Sequence, residues 1–574
     1  MKKIVPFITV CLSLFSCSQK QSVTNKRLVT ICNPVNLSYR FQPELPSRRE
    51  AADPTMVFYD DIYYLFASKS GGYWYSSDLA DWVFVETSEI PTEEYAPTVV
   101  VMNGVFYFLA SSGIKSTIYK STDPRSGKWE IAKDSLAFPV WDPAFFLDDD
   151  NRLYLYWGCS DKNPIYGTEL NINNFEPITE PVPLIYADPD NHGWEVPGDD
   201  NARYGNAPWI EGAWLNKING TYYLQYAAPG TEFKSYSDGV YFSDSPLGPY
   251  QAATHNPFAY KPDGFVSGAG HGSTFTDRYG NLWHIGTITI SVKHMFERRL
   301  GLYPVFVDKE GQLYAVTKFG DYPLIIPDKK IEKIDDIFPD WMLLSYQKKV
   351  KISSFIDTLP PDNMTDENIR TYWSAQTGND KEWAIMDLGA LYDVNAVQIN
   401  FSEHHTGILG RKDGLFHQYT IEASKDDQKW YTIVDKSGNQ TDNTHDYTQL
   451  NQGVSCRYLK IKNVRVPDGN FALSGFRVFG KGKGDKPAAV DQLEVTRNPG
   501  NRRSVFIRWS DSENATGYYI CYGVDKNKLY HSYVVYHDTL ITINSLNANQ
   551  AYSFTIESFN ENGITKSGIL KMIQ

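Results

Sequence analysis

The chain has 574 residues, too many for one hydrophobic core, so three or four domains are expected. Aromatic residues make up 14%, with 39 Tyr and 14 Trp, which suits pleated sheets and also suits flat, amphipathic binding faces. A formal net charge of −13, with no basic run interleaved with aromatics, argues against nucleic acid as a partner and favours a neutral or weakly charged one.

Lys2 and Lys3, followed by the mostly apolar run Ile4 to Ser16, read as a signal segment over residues 1–16. The run is too short for a permanent membrane helix, and no other segment is apolar enough to cross a bilayer. Leu14-Phe15-Ser16-Cys17 resembles the bacterial lipobox, which implies cleavage before Cys17 and its acylation. The expectation is a chain held at the bacterial cell envelope by this anchor alone, facing the periplasm or the outer surface, with residues 17–38 as a linker. Cys32, Cys159, Cys456 and Cys521 are scattered with no C-x-x-C spacing, so neither a zinc site nor a disulfide framework is indicated.

Residues 39–335 carry a repeat. Five segments align, each an apolar strand, a polar turn and an aromatic strand. They open at Asp53-Pro54-Thr55, Ala96-Pro97-Thr98, Asp142-Pro143-Ala144, Glu211-Gly212-Ala213 and His271-Gly272-Ser273. Asn103-Gly104, Asn219-Gly220 and Gly280-Asn281 are hairpin turn signals. Successive repeats start 43, 46, 69 and 60 residues apart, and four-stranded blades need about 40–50, so the last two spacings include long loops. The pattern predicts an all-β chain that begins with a five-bladed β-propeller.

The repeat starts ring one mouth of the propeller channel, so Asp53, Ala96, Asp142, Glu211 and His271 are expected at equivalent positions. Three carboxylates and an imidazole crowded in a funnel are costly unless they serve chemistry. Asp-Pro is also a common turn dipeptide, and either aspartate alone could merely start a strand. Trp74, Trp141 and Trp209 read as sugar-stacking platforms or as core. The loop from Gly193 to Asp200, directly before Glu211, is expected to overhang the mouth and shape a pocket.

Ala52-Asp53-Pro54, Trp141-Asp142-Pro143-Ala144-Phe145-Phe146, Ile210-Glu211-Gly212-Ala213 and Gly270-His271-Gly272-Ser273 together resemble glycoside hydrolase family 43. The resemblance implies inverting hydrolysis of a carbohydrate, with Asp53 as general base, Glu211 as general acid and Asp142 tuning and orienting the acid. It implies no cofactor for the chemistry. A calcium ion in the channel, held by His271 through water, stands beside a plain hydrogen-bonding role for that residue. Arg298 matches an arginine near the sugar or Asp142; a surface pair with Glu297 is the other reading. By analogy the substrate is an α-L-arabinofuranosyl side chain of a plant-type polysaccharide, taken by exo action, with β-xyloside or galactan as alternatives. A glycan-binding lipoprotein without catalysis is the reading from another class, and it predicts a missing carboxylate.

Residues 340–480 lack the propeller repeat. Ile369 to Ala375, Glu382 to Gly389 and Tyr419 to Trp430 resemble the discoidin or coagulation-factor C-type domain, implying a jelly-roll sandwich that binds glycan or packs on the propeller. Residues 487–574 resemble a fibronectin type III sandwich of immunoglobulin-like fold, on Ser504 to Trp509, Gly517 to Gly523 and Tyr552 to Ile556. Such a module is expected to act as a spacer whose removal leaves the catalytic core intact.

Overall fold

The computed structural model describes Met1 and residues 28–574, so the signal segment and Cys17 lie outside the described residues. Among the described residues no helix is long and apolar enough to cross a membrane, and the architecture is all-β.

Five antiparallel sheets follow one another, each with four strands in chain order. Their inner strands are Ala52–Tyr59, Thr98–Met102, Ala144–Leu147, Glu211–Ile218 and Gly270–Thr276. Each inner strand packs on the next, and the fifth packs back on the first, closing a five-bladed ring. The blades cohere through aromatics that alternate across facing sheets. Phe66, Phe108 and Trp129 meet between blades one and two, and Phe146 meets Tyr222 between blades three and four.

Residues 28–38, expected as part of a linker, are instead folded onto the propeller. Thr30–Ile31 pairs with Leu324–Ile325, just beyond the fifth blade. Val35 N–H donates to the Leu300 carbonyl at 2.9 Å, and Cys32, Val35 and Leu37 are buried. A small hairpin, Arg40–Phe41 with Arg49–Glu50, follows before blade one.

The middle sandwich is built on two long strands, Trp383–Phe401 and His445–Arg465, which pair through most of their length with two register shifts. Its core is apolar, with Trp373, Val397, Ile399, Leu459, Phe476 and Val478 buried. The C-terminal sandwich has a three-stranded sheet, Leu493–Arg497, Val505–Trp509 and Leu540–Ile543. Facing it is a sheet in the order His531–Tyr536, Gly517–Gly523, Tyr552–Asn560, Gly563–Lys566, with Lys571–Ile573 also paired to the third of these strands.

This last sandwich is not a free spacer. Tyr530 stacks on Tyr314 of blade five with ring centroids 3.7 Å apart, and its hydroxyl donates to Asp308 at 2.6 Å. Tyr533 and Tyr260 share a 2.6 Å hydroxyl contact. Phe319, stacked on Phe338, meets Tyr519 edge-on within an apolar cluster fed by all three units. The loop before Glu211 also serves this interface. Gly193 N–H donates to the Leu546 carbonyl and Ala548 N–H to the Asn191 carbonyl, while Trp194 and Glu195 are fully buried. Gly193 is required there, since a Cβ would lie 2.2 Å from the Asn544 carbonyl oxygen. This part of the loop is therefore held in a domain interface rather than left free to overhang the mouth.

Removing residues 487–574 would bare Phe319, Tyr314 and Tyr260 together. The truncated chain is expected to melt at lower temperature and to bind a hydrophobic dye; an unchanged melting temperature and no dye binding would contradict this account of the interface.

Candidate active site

The head of each inner strand has one residue in the left-handed backbone region: Asp53 (φ 51°), Ala96 (48°), Asp142 (51°), Gly212 (64°) and His271 (44°). In blades one, four and five a register shift follows, so two residues bulge against the neighbouring strand. Left-handed geometry costs non-glycine residues energy, so it must be imposed by surrounding contacts. The preceding blade provides them. Thr287 accepts the Asp53 N–H at 3.0 Å, Ser68 that of Ala96 at 2.7 Å, Ser111 that of Asp142 at 2.8 Å and Asp238 that of His271 at 2.6 Å.

This register corrects the expected ring. Glu211 pairs with Ala227 just as Ala52 pairs with Ser68 and Gly270 with Thr287, so Glu211 stands one residue before the position of Asp53. Gly212 holds that position in blade four. A Cβ there would lie 2.5 Å from His271 Cγ, so the imidazole occupies the space a side chain would need.

The side chains nevertheless converge. His271 Nδ1 lies 3.3 Å from Asp53 Oδ1 and 3.7 Å from Asp142 Oδ2. Oxygen atoms of Asp142 and Glu211 and the sulfur of Cys159 lie within 4.8 Å of one another. Asp53 accepts from the Ser68 hydroxyl at 2.6 Å and from Arg298 Nη1 at 3.1 Å. Arg298 also reaches Glu50 at 2.8 Å, so it bridges two buried carboxylates. Glu211 is held on both oxygens, by the Tyr236 hydroxyl at 2.5 Å and the Cys159 thiol at 3.3 Å. The Trp209 indole N–H donates to that sulfur at 3.0 Å.

The electrostatics follow from burial among like charges. Burial, then the Glu211 and Asp53 carboxylates, push the Asp142 carboxyl up to about 7, against the opposing pull of His271. Burial alone would lower the His271 imidazole; Asp53, Asp142, Glu211 and Asp238 outweigh it and raise it above its ordinary value. The imidazole thus sits between the acids that favour its charged form.

Residues 47–313 match the family described as Glycosyl hydrolases family 43, and residues 349–474 match the F5/8 type C domain. The propeller is a family 43 glycosyl hydrolase domain. The chain is 27% identical over 150 residues to a beta-xylosidase of Xylanibacter ruminicola, a match covering 22% of this chain and 41% of that protein. It is 29% identical over 203 residues to a xylosidase/arabinosidase of Butyrivibrio fibrisolvens, covering 33% and 37%. The chain therefore spans about two fifths of the length of these curated relatives. A solved structure named glycoside hydrolase is similar at 18% identity and a TM-score of 0.45, covering 77% of this chain and 99% of its own.

Within the family 43 domain, Asp53, Asp142, Glu211, His271 and Arg298 come together, with Arg298 on Asp53 rather than on Asp142 or the surface. Trp209, beside Cys159, is 42% exposed, and Trp141, adjoining Asp142, is 50% exposed, so both keep a face open to a ligand. Trp74 does not. It is fully buried in blade one, edge-on to Phe84, with its N–H on Ser38. An aromatic in a strand reads the same whichever face is buried, so its sequence held no warning. Calcium prefers six to eight oxygen ligands. The nearest carboxylates to His271 Nδ1 are turned toward the imidazole, so an ion there would draw its oxygens from water. Cys159, Tyr236, Glu50 and Asp238 were not singled out by sequence. Cys159 follows a second strand, Tyr236 and Asp238 lie at the start of a third, and Glu50 belongs to the hairpin before blade one, where no repeat marks them.

The folded Asp142 carboxyl binds its proton more tightly than the unfolded one, so stability falls as pH rises from about 4 through about 7. Asp142→Asn is expected to raise the melting temperature at pH 8, with a gain on the order of a few kcal/mol at most, and to lose that advantage toward pH 4. A gain largest at pH 4 would contradict this charge balance.

Proposed function

We propose that the chain is an inverting, exo-acting glycoside hydrolase that releases a terminal pentose. The observation that carries the reading is the convergence of three buried carboxylates from three blades on His271, with two exposed tryptophans beside them. Inversion needs a carboxylate that takes a proton from water on one face of the sugar and a protonated carboxyl that donates to the leaving oxygen on the other.

Asp53 suits the base, since Arg298 and Ser68 fix both its oxygens and leave its orientation defined. Glu211 suits the acid. It stands next to Trp209 and Cys159, with the Asp142 carboxyl close by. Asp142 then tunes and orients the acid. The presence of all three carboxylates speaks against a binding protein that has lost its chemistry.

The sugar is read as α-L-arabinofuranose, with β-xylose as the second reading. The relatives named beta-xylosidase and xylosidase/arabinosidase support the two together. The loop before Glu211 does not choose between them, because its Gly193 segment is held against the C-terminal sandwich. We further propose acylation of Cys17 and an envelope location, and a fibronectin type III assignment for the C-terminal sandwich, supported by its two facing antiparallel sheets of three and five strands.

The test compares aryl α-L-arabinofuranoside, β-xyloside and β-galactoside with their alkyl counterparts. Glu211→Ala removes the proton donor, so an activated aryl glycoside should recover much of its rate. Asp53→Ala removes the base, and a better leaving group should not repair it. Equal recovery in both variants, or full activity in either on the alkyl substrate, would overturn the assignment.

A further inference from the structure

We propose that the middle sandwich is part of the catalytic unit: Glu403, Asp442 and His445 clamp the two strand segments that carry Glu50 and Arg298, and so position Asp53. This rests on the reading of Asp53 as the base.

Consecutive residues of a strand face opposite sides. In the segment Arg49–Glu50 and at the start of Arg298–Val307, one residue of each pair faces the site and the next faces the middle sandwich. Glu50 and Arg298 pair with each other beside Asp53. Arg49 and Arg299 point the other way and are bound there. Arg49 Nε donates to Glu403 at 2.6 Å and its Nη1 to Asp442 at 2.8 Å. Arg299 Nε donates to His445 Nε2 at 3.0 Å, and the His445 Nδ1–H faces Asn400 Oδ1 at 2.8 Å. That tautomer follows from the donor set, and burial, with Arg299 and Arg49 nearby, holds the imidazole well below its ordinary value, hence neutral. The two segments are themselves tied, since Arg299 Nη1 donates to the Arg49 carbonyl at 2.7 Å and Ala51 N–H to the Arg298 carbonyl at 3.3 Å.

The rest of the hairpin is gripped by the same sandwich. Phe41 packs with Ile408 and Leu415, Ser47 donates to the Ile408 carbonyl, and Gly410 N–H donates to the Gln42 carbonyl. Arg49, Glu403 and His445 are all buried. A buried charge whose partner is removed must find another or be left unpaired, so a change at Glu403 is relayed to Arg49. From Arg49, only its neighbour Glu50 and then Arg298 stand before Asp53.

The experiment uses the full chain and an aryl glycoside. Glu403→Gln keeps the side-chain volume and removes the charge. Asp442→Asn removes the partly exposed partner, leaves the Arg49–Glu403 pair in place and guards against a Glu403 variant that fails to fold. Circular dichroism and thermal melting establish folding, and Arg457→Ala, in an exposed pair with Asp387 elsewhere on the sandwich, is the control. The expected result is a kcat lower by roughly 10–100-fold in Glu403→Gln, the scale of a small misplacement of a reacting group, and a smaller loss in Asp442→Asn. KM should hardly change. The acidic limb of the pH–rate profile should move, because a displaced Arg298 changes the field at the base. Folded variants with the parent's kcat and pH profile would overturn the clamp, as would a rise in KM at constant kcat, which marks a ligand-binding role instead. Asp53→Ala is measured alongside. If it retains activity the reading of the base fails; if it is inactive while folded Glu403→Gln matches the parent, the clamp alone fails.

Discussion

The left-handed residue at the head of each inner strand is the constraint from which the site follows. Four of the five are not glycine, and each such conformation costs about 1–3 kcal/mol unless its surroundings impose it. The surroundings do so by the same device around the ring: a hydroxyl or carboxylate of the preceding blade accepts the N–H of the strained residue. The left-handed turn then directs the side chain toward the channel. Repetition of a local backbone feature thus becomes convergence of side chains far apart in sequence.

What converges is mostly negative, and the cluster is tolerable because a guanidinium and an imidazole lie within it. His271 sits between Asp53 and Asp142, and Arg298 bridges Asp53 and Glu50. Low dielectric strengthens these pairs and makes their loss costly. It also lets one carboxyl of the cluster keep a proton near neutral pH while another accepts from an arginine, which is the division of labour that acid–base hydrolysis requires. The burial needed for this is supplied by more than the blades. The N-terminal segment, the hairpin at residues 40–50 and both sandwiches close around the propeller in shared apolar clusters, so the three units behave as one body rather than as a core with appendages.

Much of this was legible in the sequence, for a physical reason. A left-handed residue followed by Pro or Gly leaves a signature that repeats with the blade, so Asp53, Asp142 and His271 could be found by alignment of the chain with itself. Glu211 was found too, but one residue out of register, since the signature does not show that His271 displaces a side chain from position 212. Period-two alternation cannot tell which of two covered faces an aromatic enters, so Trp74 stood open between stacking platform and core until its burial decided for core. Contacts such as Arg49 with Glu403 or Tyr314 with Tyr530 join residues hundreds apart in different sheets. No local pattern encodes them, so the linker and spacer readings of residues 28–38 and 487–574 gave way to docked structure.

The central claim is that Asp53 and Glu211 act on opposite faces of the sugar, one on water and one on the leaving oxygen. The most direct measurement is proton NMR of the first sugar released from an aryl α-L-arabinofuranoside or β-xyloside, recorded before mutarotation. Inversion predicts that the product appears first as the anomer opposite to that of the substrate and then equilibrates. Initial release of the same anomer would mean a covalent intermediate and would contradict the roles assigned to both carboxylates.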